Sequence, residues 1–135
     1  MCRLTALISA DEAVLLSDVT TRPNMSIIRQ SYACQERQQL PPGRVPHESY
    51  KQAFLNGDGY GIGWYDYYDN ITHHQEGEEG GGACVFVSST PAWNDSNLAQ
   101  LSDRIRTRLI FAHVRAAGPL TPVGQSLCHP FRCGK

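Results

Sequence analysis

The sequence has no apolar run approaching the ~18 residues a membrane-spanning helix needs, so no transmembrane segment is expected. It has no surplus of charge of either sign: 12 basic residues face 13 acidic ones, for a formal net charge of −1. That balance excludes nucleic-acid or membrane-surface attachment driven by bulk electrostatics. No basic region leads into a long apolar stretch at the N-terminus, so no secretory signal is read and a cytoplasmic location is expected. The cysteines Cys2, Cys34, Cys84, Cys128 and Cys133 number five. An odd count in a chain read as non-secreted argues against a disulfide framework. On the same reading, the Asn-x-Ser/Thr triplets at Asn24, Asn70 and Asn94 are chance matches. There is no Gly-Lys-Ser/Thr and no G-x-G-x-x-G opening a helix, which excludes a P-loop and a dinucleotide fingerprint. No cofactor is expected.

What is present suits one folded domain. The 135 residues are 41% apolar, enough for one moderate core. Cys2 to Ile8 alternates and reads as a strand; Ala13 to Leu16 is a second short apolar run, stopped by Arg22-Pro23-Asn24. Ser26 to Tyr32 reads as a strand packing one face. "QERQQLPPGRVPHES" is a polar loop with three of the eight prolines, and a short helix is expected from about Glu48 to Phe54. "NGDGYGIGWYDYY" is a turn feeding an aromatic strand, and "DNITHHQEGEEGGG" a solvated connection. "ACVFVSS" is a strand. "NDSNLAQLSDRI" is a helix with an Asp cap and one apolar face of Leu98, Leu101 and Ile105. "RLIFAHVRAA" is an apolar strand with a polar end, and "GPLTPVGQSLCHPFRCGK" a loop. The order predicts a layered α+β domain.

Five places hold candidate chemistry. Once Met1 is removed, Cys2 carries a thiol and a free α-amine on one residue. The amine has a pKa of about 7.7–8.0, so nucleophile and base sit together; the alternative is a small side chain packed on the first strand. Arg115 ends an apolar strand, and its fork of donors fits a carboxylate, or else forms a surface salt bridge. His113 shares a strand face with Arg115; it reads as a hydrogen-bonded structural residue, or with Arg115 and Gly118 as a candidate substrate-binding residue. Alternate glycines at 57, 59, 61 and 63 leave one strand face bare, so that another backbone or a ligand can come close; Asp58 orients a neighbour or caps the turn. Cys128, His129 and Cys133 are zinc-type ligands, but their spacing fits common zinc sites poorly and no second ligand pair accompanies them. No metal site is expected.

Taken in order, Met-Cys-Arg, "NGDGYGIGWY", "PAWND..NL", "FAHVRAA" and "CHPF" resemble the class II glutamine amidotransferases. The likeness runs over essentially the whole chain. It is nearest to the branch with the glutathione-degrading amidotransferase-like protein of fungi and its bacterial relatives. The resemblance implies an N-terminal-nucleophile hydrolase with an αββα sandwich, in which Cys2 attacks a γ-glutamyl amide. It implies that Arg115 grips the substrate α-carboxylate, that Asp58, Gly59 and Gly61 lie in the glycine-rich strand beside the site, and that His129 belongs to a loop near it. Glutamine or a γ-glutamyl peptide such as glutathione is the implied substrate, and a partner subunit is compatible with the family. Where the family usually has a threonine that holds the substrate head, this chain has Gly118. The family's oxyanion Asn-Gly pair, expected downstream of "CHPF", does not occur before Lys135. Residues 1–135 are therefore expected to be the N-terminal portion of an amidotransferase domain. A binding or regulatory subunit of the same fold is the other expectation.

Overall fold

The computed structural model describes residues 2–34, 55–65, 82–118 and 120–132. The expected helix at 48–54, most of the acidic glycine connection and Cys133 lie outside the described residues. Four six-residue strands make the main sheet: β1 (Arg3–Ile8), β3 (Tyr60–Tyr65), β4 (Ala83–Ser88) and β6 (Leu109–Val114). Their order is β1-β6-β3-β4, antiparallel throughout. Two short strands, β2 (Val14–Leu15) and β5 (Arg106–Thr107), pair separately. The one-turn helix α1 (Ser17–Thr20), α2 (Ile27–Tyr32) and α3 (Ser96–Ser102) complete the elements, with 3-10 turns at Ala92–Asn94 and Gln125–Leu127.

Register divides the sheet into two faces, because successive side chains point to opposite sides. One face aligns Arg3, Val114, Tyr60 and Ser88 in a row across the four strands; the next row is Thr5, Ala112, Ile62 and Phe86. The helices cover this face. Tyr60, Ile62, Ile110, Ala112 and Val114 pack there with Leu16, Ile27, Ala92 and Leu98 into the core. The other face aligns Leu4, His113, Gly61 and Val87, then Ala6, Phe111, Gly63 and Val85. It is largely apolar and partly open: Leu4 is 63% and Ile8 77% exposed.

The α+β class holds, and the described residues make up a four-stranded sheet with helices on one of its faces and a separate two-stranded pair. Ser26 to Tyr32 is not the expected strand. Ser26 caps a helix, its Oγ accepting from the Arg29 N–H at 3.3 Å, and the buried residues Ile27 and Ser31 lie four apart. That spacing puts them on one helical face, whereas a strand would send them to the same side with Arg29 between them. The Asp cap at residue 95 is present: Oδ1 accepts from the Asn97 N–H at 3.0 Å. The same carboxylate accepts from the Tyr60 hydroxyl at 2.8 Å, tying α3 to the sheet. Leu98 is buried as expected, while Ile105 falls beyond the helix and still packs against the core. No helix among the described residues is long and apolar enough to cross a membrane.

Candidate functional site

Cys2 immediately precedes β1, and Arg115 immediately follows β6. The register ends with Arg3 against Val114, so Cys2 and Arg115 are the next residues of the two chains at that end of the pair. The Cys2 thiol is exposed and points at the Ala116 carbonyl, 3.6 Å away. On the other side, Arg115 bonds the two residues that lead into β3: its N–H donates to the Gly59 carbonyl at 2.8 Å, and its carbonyl accepts from the Asp58 N–H at 3.1 Å, so two residues oppose one where the regular ladder ends. Cys2, Arg115 and Gly59 thus lie at one end of the sheet.

Arg115 is not the surface salt bridge of the alternative reading. It is buried, and its guanidinium is held by carbonyls: Nη2 donates to Pro122 O at 2.8 Å and Nη1 to Asp58 O at 3.4 Å. No carboxylate pairs with it among the described residues. A buried charge met only by carbonyl dipoles is a ready receptor for an anion. Asp58 orients a neighbour: its Oδ2 accepts from the Ala117 N–H at 2.7 Å, so it fixes the backbone that carries Arg115.

The glycines resolve the choice between a backbone and a ligand in favour of a backbone. A Cβ on Gly59 would stand 2.6 Å from both Cys128 Sγ and Ser88 O, and one on Gly63 2.7 Å from Pro130 Cγ. A Cβ on Gly61 would collide with the His129 carbonyl. The bare strip is therefore the seat of the Cys128-His129-Pro130 loop, whose last peptide bond is cis. Gly59 also adopts φ +115°, a conformation that L side chains rarely take.

This loop joins Cys128 and His129 to the site. The Cys128 thiol is buried, and its one proton has two carbonyl acceptors in reach, Ser88 O at 3.5 Å and Gly124 O at 3.6 Å. Burial pushes its pKa up; Arg115 opposes the rise and Cys2 adds to it, so both groups act on it electrostatically. The His113 ring meets His129 edge-on at 4.8 Å, and His129 packs on Phe131 at 4.3 Å. Burial, then His129 and Arg115, lowers the His113 pKa to about 4. His113 is therefore neutral at physiological pH, with its buried Nδ1 lacking a hydrogen-bond partner among the described residues. Gly118 is exposed, in a turn closed by the Thr121 N–H on its carbonyl at 3.1 Å. Among the described residues, no group of three or more His, Cys, Asp or Glu side chains is placed to hold a metal.

Sequence reasoning missed the Pro122 carbonyl, because a main-chain acceptor leaves no mark in residue identity. It also missed Ser88, whose carbonyl receives the Cys128 thiol from 40 residues away.

No protein-family profile matches the chain. Individual proteins do. A probable glutamine amidotransferase of Saccharomyces cerevisiae, DUG3, is 34% identical over 131 residues, covering 97% of this chain and 31% of that protein. The gamma-glutamyl-hercynylcysteine sulfoxide hydrolase of Mycolicibacterium smegmatis is 29% identical over 135 residues, covering 100% of this chain and 48% of that protein. The Mycobacterium tuberculosis protein of the same name is 28% identical over 134 residues, covering 99% of this chain and 46% of that protein. The chain thus spans about a third to a half of the length of the curated relatives it matches.

Proposed function

Starting from a chain homologous over nearly its whole length to class II glutamine amidotransferases, we propose that it carries the nucleophile and the carboxylate clamp of a γ-glutamyl amide hydrolase. One observation supports this reading: Cys2 leads into β1 and Arg115 follows β6 at the same end of that strand pair, and the arginine is buried with no carboxylate partner among the described residues.

In this reading the α-carboxylate of glutamine, or of a γ-glutamyl peptide such as glutathione, pairs with Arg115. That delivers the γ-carbonyl to Cys2. With Met1 removed, the Cys2 sulfur attacks the γ-carbon, a C–S bond forms and the carbonyl becomes an oxyanion. The thiol proton passes through the Cys2 α-amine to the leaving nitrogen, and the C–N bond breaks. Ammonia leaves from glutamine, and the amine of the remaining dipeptide leaves from glutathione. Water then adds to the γ-glutamyl thioester, releasing glutamate and restoring the thiol. Asp58 acts here as a positioning residue, through the backbone of Arg115 to Ala117. The largely apolar sheet face opposite the helices is the surface that a second sheet covers in an αββα sandwich.

The test is ammonia release from glutamine and amine release from glutathione, measured after mass spectrometry has established loss of Met1. Cys2→Ala is expected to lower turnover at least about 10³-fold. Undiminished hydrolysis by that variant overturns the reading. Wild-type protein that binds substrate without turnover makes the chain a binding subunit instead.

A further inference from the structure

Arg115 has five N–H donors. Two are spent, on the carbonyls of Asp58 and Pro122. The second of these belongs to the residue directly after Thr121, so the end of the loop at Thr121 and Pro122 is anchored on the guanidinium itself. Inside that loop the Thr121 N–H closes on Gly118 O at 3.1 Å. Leu120 sits at φ 66° with its side chain fully exposed. A left-handed leucine is costly, and an exposed one has no packing of its own to hold it there. The turn is therefore kept by its hydrogen bonds and by its anchor on Arg115.

The consequence lies at Thr121. A side chain at position 118 would begin 3.4 Å from Thr121 Oγ1, so the glycine leaves open space that the hydroxyl borders. That hydroxyl is exposed and has no hydrogen-bond partner among the described residues. A carboxylate has about four lone-pair sites, more than the partly committed guanidinium fills alone, and a hydroxyl can donate to one of them.

We infer that Thr121 is a substrate-contacting residue, its Oγ donating to the α-carboxylate of the γ-glutamyl substrate whose charge is met by Arg115. This rests on the γ-glutamyl reading above. Thr121 determines affinity for the substrate head and takes no part in bond making.

The experiment compares Thr121→Val, Thr121→Ser and Arg115→Lys in the full-length protein, reading KM and kcat for glutamine. It also reads Kd for glutamine in each variant combined with Cys2→Ala. Thr121→Val keeps the shape and removes the hydroxyl. It is expected to raise KM and Kd about 10-fold, the value of a hydrogen bond to a charged group, with kcat within about 2-fold. Thr121→Ser is expected to restore wild-type values. If Thr121→Val leaves KM and Kd unchanged while Arg115→Lys raises them, Thr121 has no such role and the γ-glutamyl reading stands. Thr121→Ser as weak as Thr121→Val also removes the role, since the hydroxyl is what matters. If neither Thr121→Val nor Arg115→Lys weakens binding, the γ-glutamyl reading itself fails.

Discussion

Placing a methyl group on Gly61 tests whether the glycine strip is a seat for a loop. The added Cβ would meet Val87 Cγ1 at 2.8 Å and the His129 carbonyl carbon at 3.0 Å, with the carbonyl oxygen nearer still. The valine methyl can rotate away. The carbonyl is main chain, so the loop from Cys128 to Pro130 has to lift. Overpacking of this kind costs about 1–3 kcal/mol. Replacing a strand glycine by alanine returns roughly 0.5–1 kcal/mol of backbone entropy. The net expectation for Gly61→Ala is a loss of up to about 2.5 kcal/mol, a fall in Tm of up to about 10 °C at this chain length. Gly124→Ala is the control: nothing lies within 4 Å of its Cβ position, and it should change stability by less than about 0.5 kcal/mol. Urea unfolding gives the free energies. A second readout follows Cys128, which is only 1% exposed and should resist a thiol reagent in wild type but react once the loop lifts. Equal midpoints for Gly61→Ala and wild type, with Cys128 still protected, would refute the seating of the loop on β3.

Two further outcomes follow from the same packing. His113 is held neutral, with a folded pKa of about 4 against an ordinary 6.5. The unfolded chain therefore binds more protons between those values, and the contribution of His113, complete above about pH 6.5, is lost as pH falls toward 4. Unfolding free energies taken from pH 7 to pH 4 should fall less steeply in His113→Gln; an unchanged slope would mean the imidazole is not the titrating group. Tyr60→Phe removes the 2.8 Å hydrogen bond to Asp95 from a buried ring, and should cost about 1–3 kcal/mol because it leaves one carboxylate oxygen without its donor. Equilibrium unfolding measures it, and no loss would show that water replaces the hydroxyl fully.

The parts of the fold that were legible in the sequence are those set by neighbours in the chain. The alternation of Arg3 to Ile8, the strand at Ala83–Ser88 and the Asp95 cap all rest on residues within a few positions of one another. Ser26 to Tyr32 failed because adjacent isoleucines suit either period, and the serine cap that decides the matter was read as strand. The sequence offers the candidate site as a list of residues and not as an arrangement. "NGDGYGIG" signals a bare strip, and only the three-dimensional fold says that the Cys128-His129-Pro130 backbone fills it. Asp58 finds its partner at Ala117, 59 residues on, and His113 meets His129 across 16. Such pairings depend on register, which residue identities do not state.

β1 is an edge of the described sheet, hydrogen-bonded to β6 alone. Edge strands exchange their amide hydrogens through local opening, at a free energy below that of global unfolding. The residue at its head is Cys2, whose place at the Arg115 end of the strand pair exists only while that edge is zipped. Fraying of β1 and misplacement of the thiol are therefore one event. Amide protection along Leu4 to Ile8 sets an upper limit on the fraction of molecules that have the nucleophile in position at any instant.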